Sequence, residues 1–184
     1  PKFDNIIIVG GMANNVIKYM GHNIGKSLQE EISNLTIEEI FSLLKKEKCK
    51  LIFPNDVIVA KNLNGDPIIK ELNEISSDEI ILDIGPKTIK IINNLIDESN
   101  TILWNGPAGY FENPNFANGS IKIAEKIIEN NKAKKIYSVV GGGDTVSLLN
   151  SLNAISYFNF VSTAGGAFLE YLEGKKLPGI TALK

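Results

Sequence analysis

The stretch that most constrains this sequence is residues 136–149, IYSVVGGGDTVSLL. An apolar strand runs directly into Gly141, Gly142 and Gly143, and a helix follows that is opened by Asp144 and Thr145. Backbone N–H groups at a helix start lack intrahelical partners and carry the positive end of the helix dipole. Because glycine has no Cβ, an anion can approach these groups closely. The pattern predicts a phosphate cradle with these three glycines at its centre.

Asp144 complicates that interpretation, because a carboxylate repels a neighbouring phosphate unless a cation lies between them. Mg²⁺ is the hard divalent ion that suits a carboxylate together with phosphate oxygens, so Asp144 is a candidate metal ligand. The alternative is that Asp144 is the helix N-cap and that the glycines only turn the chain tightly against the sheet. The residues of this stretch leave both interpretations open.

Length and composition narrow the class of protein. A chain of 184 residues with 43% hydrophobic content can bury one sizeable core, so we expect a single domain over 1–184. A formal charge of −2 and the lack of a basic run argue against nucleic acid or a membrane surface as the main partner. The single cysteine, Cys49, excludes an internal disulfide and a cysteine-rich zinc site and favours a reduced, cytoplasmic setting. We expect no signal peptide, and the apolar runs of the sequence are of strand length, shorter than a membrane helix.

The basic residues are unusual, because all 19 of them are lysine and the sequence contains no arginine. Arginine is the usual bidentate clamp for carboxylate and phosphate, so a chemistry that needs such a clamp would take it from elsewhere. The chain also begins at Pro1 without an initiator methionine. We therefore expect it to be a piece of a longer protein.

Strand-like and helix-like segments alternate along the chain. Strands are predicted at 5–9, at 50–60 with a break at 54–56, and at 79–84, 101–104, 136–140 and 157–161. Helices are predicted at 13–20, from a capping box at 27–30, and at 38–49, 88–100 and 118–131, as well as after Gly143 and up to Glu173. With such connections the strands should be parallel and the crossovers right-handed. The expected fold is α/β, a doubly wound, mainly parallel, Rossmann-like sheet with helices on both faces.

Five glycine positions or clusters each follow a predicted strand, at the sheet edge where such folds bind ligands: 10–11, 85, 106, 141–143 and 165–166. A dinucleotide oxidoreductase is the obvious alternative, but no G-x-G-x-x-G follows a strand, and the segment after the first strand, VGGMAN, has the wrong pattern. Residues 21–27, GHNIGKS, are not a P-loop, because only three residues separate the glycines and no strand precedes them. We expect His22, the only histidine, to be a surface loop residue.

Residues 105–112, NGPAGYFE, form a strand end whose loop is too rich in glycine and aromatic residues for a simple turn. Glu112 could accept both ribose hydroxyls of a nucleotide, while Pro107 and the glycines make a flat wall for a base. The alternative is a Gly-Pro turn with Glu112 near a helix start, where the dipole favours it. Chemistry alone does not choose between these interpretations.

Eight segments in order resemble signatures of one known family. They are 10–14 (GGMAN), 21–27 (GHNIGKS), 83–86 (DIGP), 104–107 (WNGP), 109–112 (GYFE), 141–145 (GGGDT), 162–167 (STAGGA) and 169–178 (LEYLEGKKLP). Together the segments resemble the C-terminal, nucleotide-binding half of phosphoglycerate kinase. Any one of them is weak, whereas eight in sequence are highly specific.

The resemblance implies roles for individual residues. Gly142, Gly143, Asp144 and Thr145 would lie at the phosphates of Mg-ATP or Mg-ADP, with Asp144 toward Mg²⁺, and the amides of Gly141 to Gly143 would stabilise the transferring group. Glu112 would hold the ribose. The adenine pocket would be lined by Gly10, Gly11, Leu82, Gly106 and Pro107, with Leu63 a weaker candidate, and Asn105 would reach the phosphates.

The resemblance also implies a reaction and a partner. The reaction is reversible transfer of the ATP γ-phosphoryl group to the carboxylate of 3-phosphoglycerate in glycolysis, giving 1,3-bisphosphoglycerate and ADP. The partner is an N-terminal half of the same protein, rich in arginine and histidine, that carries the phosphoglycerate site. Without it, and without a Gly-Gly-Ala-Lys turn that precedes this segment in the family, we expect the chain alone to be inactive. The alternatives are an NAD(P)-type dinucleotide-binding domain and a non-catalytic interaction module. Val9 and Ala164 depart from glycines that are common in the family, which bears only on fine backbone geometry.

Overall fold

A computed structural model describes residues 3–183 and confirms the α/β class. The strands are β1 (Asn5–Ile7), β2 (Lys50–Ile52), β3 (Asp56–Ala60), β4 (Ile68–Glu71), β5 (Ile80–Ile84), β6 (Thr101–Asn105), β7 (Tyr137–Gly141) and β8 (Phe160–Val161). The α-helices are α1 (Gly10–Tyr19), α2 (Asn34–Lys46), α3 (Pro86–Glu98), α4 (Asn118–Lys132), α5 (Gly143–Ser151), α6 (Gly166–Leu172) and α7 (Pro178–Thr181). No helix in this part of the chain combines the length and the apolar character needed to cross a membrane.

The chain divides into two compact units. The first comprises Pro1–Leu95 and Ala108–Ile123, and the second comprises Ile96–Pro107 and Ala124–Lys184. The expected single domain over 1–184 stays a prediction.

The first unit contains a parallel pair, β1 with β2, and an antiparallel sheet in the order β4-β3-β5. The prediction that the strands run parallel is therefore wrong for β3, β4 and β5. The segment between β3 and β4 is too short for the crossover that a parallel pair requires, so the chain must return antiparallel. Sequence analysis missed β4 because it is short and follows a polar loop, and Ile68 and Ile69 are largely exposed on it.

Strand β3 is buried along its whole length, since both of its faces are covered. Val57 and Val59 pack in one apolar cluster with Ala13 and Ile17 of α1. The alternate residues of β3, Ile58 and Ala60, pack in a second cluster with Leu82 and the fully buried Phe116. The two-residue period of a strand thus distributes its side chains between two cores.

In the second unit, β6, β7 and β8 form a parallel sheet with β7 at the centre. Val140 of β7 is fully buried, and the ring of Trp104 on β6 lies 6.4 Å from that of Phe158, measured between centroids. The strand, glycine turn and helix predicted over 136–149 are confirmed as β7 and α5.

Several helix starts differ from the sequence predictions. Helix α1 begins at Gly10, three residues before the expected start at Ala13. No helix starts at Ser27: its hydroxyl accepts the N–H of Ile81 at 2.8 Å, donates to the carbonyl of Ile24, and so serves a loop that packs against β5. Helix α2 begins at Asn34, because Ser33 caps it by accepting the N–H of Thr36 at 3.1 Å.

Candidate functional site

Glycine occupies both the N-cap and the first position of α5. Its N-cap is Gly142, with φ of 87° and ψ of 134°, a conformation that residues with a Cβ rarely adopt. The interpretation of Asp144 as the N-cap is therefore wrong, since Asp144 is the second residue of the helix. No side chain bonds to the helix start from the N-cap, so its N–H groups remain available to an outside acceptor.

The space around this helix start is open. A Cβ added to Gly143 would meet no atom within 4 Å. Asp144 is exposed, and its carboxylate makes no hydrogen bond or ion pair with any residue from 3 to 183. Thr145 is the opposite, because it is fully buried and its Oγ1 accepts the N–H of Gly106 at 2.7 Å. This bond ties the end of β6 to the first turn of α5.

The neighbouring strand end explains why two of the glycines are needed. Asn105 pairs with Gly141 in the parallel register of β6 and β7. A Cβ on Gly142 would lie 2.9 Å from Oδ1 of Asn105, and one on Gly141 would lie 2.5 Å from a ring carbon of Phe168. The chain beyond Asn105 then turns at Gly106, which has φ of 96° and precedes the partly buried Pro107. In the second unit the structure thus brings Asn105 and Gly106 together with Gly141, Gly142 and Thr145.

The other predicted residues lie in the first unit. Gly10 and Gly11 form the first turn of α1, whose N-cap, Val9, makes no side-chain cap. Leu82 is buried on β5, and its carbonyl accepts the N–H of Tyr110 at 2.7 Å. Leu63 is 45% exposed on the loop between β3 and β4.

Glu112 is exposed in a tight turn, two residues before a single turn of 3₁₀-helix at Pro114–Phe116. That turn is capped by Asn113, whose side chain accepts the N–H of Asn115 at 3.0 Å. The carboxylate of Glu112 makes no hydrogen bond within residues 3–183. It is therefore free to bind a ligand, and Asn113, not Glu112, is the residue that caps the helical turn.

Sequence analysis missed two buried aspartates of the first unit. Asp56 on β3 accepts the N–H groups of Lys87 at 2.9 Å and Thr88 at 2.8 Å, which belong to the first turn of α3. Asp83 on β5 accepts the N–H of Gly119, in the first turn of α4, at 2.7 Å. Each strand thus supplies the anion that caps a helix. The signal in the sequence is an acidic residue in or at the start of an apolar strand, in DVIVA and IILDI.

The carboxylates of Glu112 and Asp144, the two candidate ligand-binding groups, are exposed, whereas that of Asp83 is almost completely buried. Burial raises the pKa of Asp83 to about 6, against the lowering effect of hydrogen bonds from the N–H groups of Gly119 and Ile84. His22 lies in the loop after α1, as predicted, but it is partly buried and not fully at the surface.

The donor set at α5 fits a magnesium ion only as part of a phosphate complex. In the part of the chain that the structure describes, no three His, Cys, Asp or Glu side chains cluster to hold a metal. Asp144 is a single carboxylate beside an open helix start, so an ion there would take its remaining ligands from phosphate oxygens and water. Cys49 is a free, partly buried thiol.

Comparison with known proteins identifies the family of this chain. The phosphoglycerate kinase family matches residues 1–175. The phosphoglycerate kinases of Zymomonas mobilis and Caulobacter vibrioides are each 43% identical over the whole chain, which covers 47% of either relative. The chain therefore spans about half the length of the curated relatives it matches.

Two solved structures have the same fold. Phosphoglycerate kinase from Coxiella burnetii superposes with a TM-score of 0.90 at 39% identity, over 97% of this chain and 45% of that one. The enzyme from Pyrococcus horikoshii, at 23% identity and a TM-score of 0.73 over 98% of this chain and 45% of that one, supports the fold alone. Since the family match covers nearly the whole sequence, this chain belongs to the phosphoglycerate kinase family.

Proposed function

We propose that this chain is the C-terminal, nucleotide-binding half of a phosphoglycerate kinase and that it binds Mg-ATP and Mg-ADP. The observation that carries the proposal is the start of α5, where Gly142 caps the helix without a side chain and Gly143 faces open space. A nucleotide phosphate is an anion of the size and charge that such a helix start binds. Family membership supports the same assignment.

In the second unit, we propose that the amides of Gly141, Gly142 and Gly143 and the first turn at Thr145 hold the phosphates. Asn105 reaches the same phosphates, and Gly106 and Pro107 contact the adenine. Asp144 is the residue for Mg²⁺, which supplies positive charge against the phosphate oxygens when it is bound.

In the first unit, we propose that Gly10, Gly11 and Leu82 contact the adenine and that Glu112 accepts the ribose hydroxyls. The exposed carboxylate of Glu112, without a partner among residues 3–183, supports the ribose role.

For the whole protein we propose reversible phosphoryl transfer between ATP and the carboxylate of 3-phosphoglycerate, as a glycolytic enzyme of the cytoplasm. This chain binds ATP, the phosphoryl donor. It positions the γ-phosphoryl group and stabilises it by hydrogen bonds from preorganised amides. The remaining half of the protein supplies the acceptor site and the basic groups. Because such a basic group can be worth about 10³ to 10⁵ in rate, the 184-residue chain alone does not turn over.

Titration calorimetry of the 184-residue chain with Mg-ADP and with NADH tests the binding proposal. We expect Mg-ADP to bind and NADH to bind more weakly or not at all. Tighter binding of NADH would replace the proposal with a dinucleotide-binding domain, and binding of neither would point to a non-catalytic interaction module.

A separate assay tests turnover. ATP-dependent formation of the acyl phosphate, coupled to its reduction, is followed for this chain and for the chain extended at its N-terminus to the length of its relatives. We expect activity only in the longer form. A comparable rate in the shorter form would show that the catalytic groups have been misassigned.

A further inference from the structure

Asp83 is a buried ionisable residue for which the proposed function has no role. It is 1% exposed on β5. Its Oδ1 accepts the N–H of Ile84 at 2.8 Å, and its Oδ2 accepts the N–H of Gly119 at 2.7 Å. The carboxylate therefore holds both its own strand and the start of α4.

The bond to Gly119 is one of several that close the loop of residues 108–120, named here the 108–120 loop. At its base the N–H of Ala108 donates to Oγ of Ser120 at 2.8 Å, and Ser120 is fully buried. Two residues further on, the N–H of Tyr110 donates to the carbonyl of Leu82 at 2.7 Å. The loop is thus pinned to β5 immediately beside Asp83.

Packing against Asp83 fixes both ends of this loop. A Cβ on Gly109 would lie 2.6 Å from Oδ1 of Asp83 and 2.7 Å from its Cα. A Cβ on Gly119 would approach Oδ1 more closely than real Cβ atoms do, and would lie 2.6 Å from Cγ1 of Ile84. Neither end of the loop can therefore shift toward β5, and the hydrogen bond to Gly119 keeps the second end from moving away.

Glu112 lies between these two fixed ends. Its side chain is exposed and has no hydrogen bond of its own within residues 3–183, so its direction depends on the backbone of the turn. We propose that Asp83 is a positioning residue for the ribose, which acts by holding the 108–120 loop so that Glu112 meets the ribose hydroxyls. This inference rests on the ribose role proposed for Glu112.

Asp56 offers a matched control. It is also 1% exposed, lies on the adjacent strand and caps a helix with its carboxylate. Its partners are in α3, and none of its hydrogen bonds reaches the 108–120 loop. Asp56→Asn should therefore disturb a buried cap as Asp83→Asn does, without moving Glu112.

The test measures affinity for ADP and for 2′,3′-dideoxy-ADP, which lacks both ribose hydroxyls. The chain and its variants Asp83→Asn, Asp56→Asn, Glu112→Gln and Asp83→Asn/Glu112→Gln are compared. We expect the chain to prefer ADP by about tenfold or more, as for the loss of a charge-assisted hydrogen bond. Asp83→Asn should remove most of that preference and change the affinity for dideoxy-ADP by less than about twofold.

The double variant should bind ADP no more than about twofold more weakly than Glu112→Gln alone, because both changes act through the same contact. Asp56→Asn should keep the full preference. If Asp83→Asn does not fold, Gly109→Ala disturbs the packing between the loop and Asp83 without removing the carboxyl group, and it should lose the preference in the same way.

Several results would overturn the inference. One is an equal loss for both nucleotides in Asp83→Asn, or an unchanged preference in Asp83→Asn while Glu112→Gln loses it. Additive effects in the double variant would also overturn it. A chain that binds both nucleotides equally well, or neither, would refute the proposed ribose site itself and the inference with it.

Discussion

The helix starts of α3 and α5 differ in what lies beside their N–H groups, which have no partners within the helix. At α3 the buried carboxylate of Asp56 accepts the N–H groups of Lys87 and Thr88, so the positive end of that helix is already neutralised from within the protein. At α5 the N-cap is Gly142, and a Cβ on Gly143 would meet nothing. The start of α4 resembles that of α3, since Asp83 caps it.

The difference shows which glycine-rich strand ends can bind an anion. Gly85, just before α3, packs against Asp56 so closely that a Cβ would clash with its carboxylate. That glycine makes room for an internal anion. Gly143 keeps a helix start open, and the helix dipole there can act on an external anion such as a phosphate. Glycine at a helix start is therefore not evidence of a ligand site unless the space beside it is empty.

The largest predicted effect is on the free energy of unfolding, through the buried carboxylate of Asp83. Because burial raises the pKa of Asp83 from its ordinary value to about 6, the folded protein holds this proton more tightly than the unfolded chain does. The free energy of unfolding, wild type minus Asp83→Asn, should therefore fall as pH rises from about 3 to about 7, by about 3 kcal/mol. Urea denaturation at several pH values measures this difference.

Glu79 provides the control of opposite sign. It is also buried, but a hydrogen bond from the Lys70 ammonium group lowers its pKa. The free energy of unfolding, wild type minus Glu79→Gln, should rise with pH over the range in which the carboxyl loses its proton. A flat difference for Asp83→Asn would mean that its carboxyl has the same pKa in the folded and unfolded states.

The second prediction concerns a substitution that places a carboxylate at the open start of α5. Gly143→Asp introduces a carboxylate at the first residue of α5, where the dipole favours it, so the fold should tolerate it. The added charge should weaken ADP binding by about 2 kcal/mol or more, roughly 30-fold, because it repels the phosphates. Titration calorimetry with ADP measures the loss.

Gly143→Ala is the matched control, because it adds only a methyl group in open space and should weaken ADP far less. Adenosine, which has no phosphate, should bind the chain and Gly143→Asp alike. An unchanged affinity of Gly143→Asp for ADP would mean that the phosphates do not bind at this helix start.

The third prediction tests the bond that joins β6 to α5. Thr145→Val removes the hydroxyl that accepts the N–H of Gly106 and leaves that N–H without this acceptor. The free energy of unfolding should fall by about 1–2 kcal/mol. Ser147→Ala, on the exposed side of the same helix, should change it by less than about 0.5 kcal/mol in the same denaturation experiment. Equal effects would remove the special role of Thr145.

The smallest predicted effects separate the two exposed carboxylates. Glu112→Gln should weaken ADP by about 1 kcal/mol with or without Mg²⁺, through the loss of charge-assisted hydrogen bonds to the ribose. Asp144→Asn should weaken binding mainly when Mg²⁺ is present, since the change removes both a metal ligand and a repulsion toward bare phosphate. Calorimetry in magnesium and in a chelator distinguishes the two, and a magnesium-independent loss for Asp144→Asn would refute its metal role.

Sequence reasoning succeeded where a pattern is local. The apolar run of β7, the glycines after it and the helix pattern of α5 specify a strand, a turn and a helix without reference to the rest of the chain. The same reasoning could not choose between a cap and a ligand role for Asp144, because the N-cap depends on the backbone angles of Gly142.

It failed where a structure depends on distant residues. The antiparallel pairing of β3, β4 and β5 depends on contacts that no short window contains. The caps from Asp56 and Asp83 join residues that are 31 and 36 positions apart. Side chains that a fold uses internally are therefore the hardest to recognise, because their partners are set only when the strands have been arranged.

The most direct test of the central claim is a two-dimensional ¹H–¹⁵N NMR titration of the chain with Mg-ADP. If the open helix start binds the phosphates, the amide signals of Gly143, Asp144 and Thr145 should move most. The amides of Lys87 and Thr88, which are already bonded to Asp56, should stay in place. Saturation with Mg-ADP that leaves the signals of Gly143 to Thr145 unmoved would contradict the account.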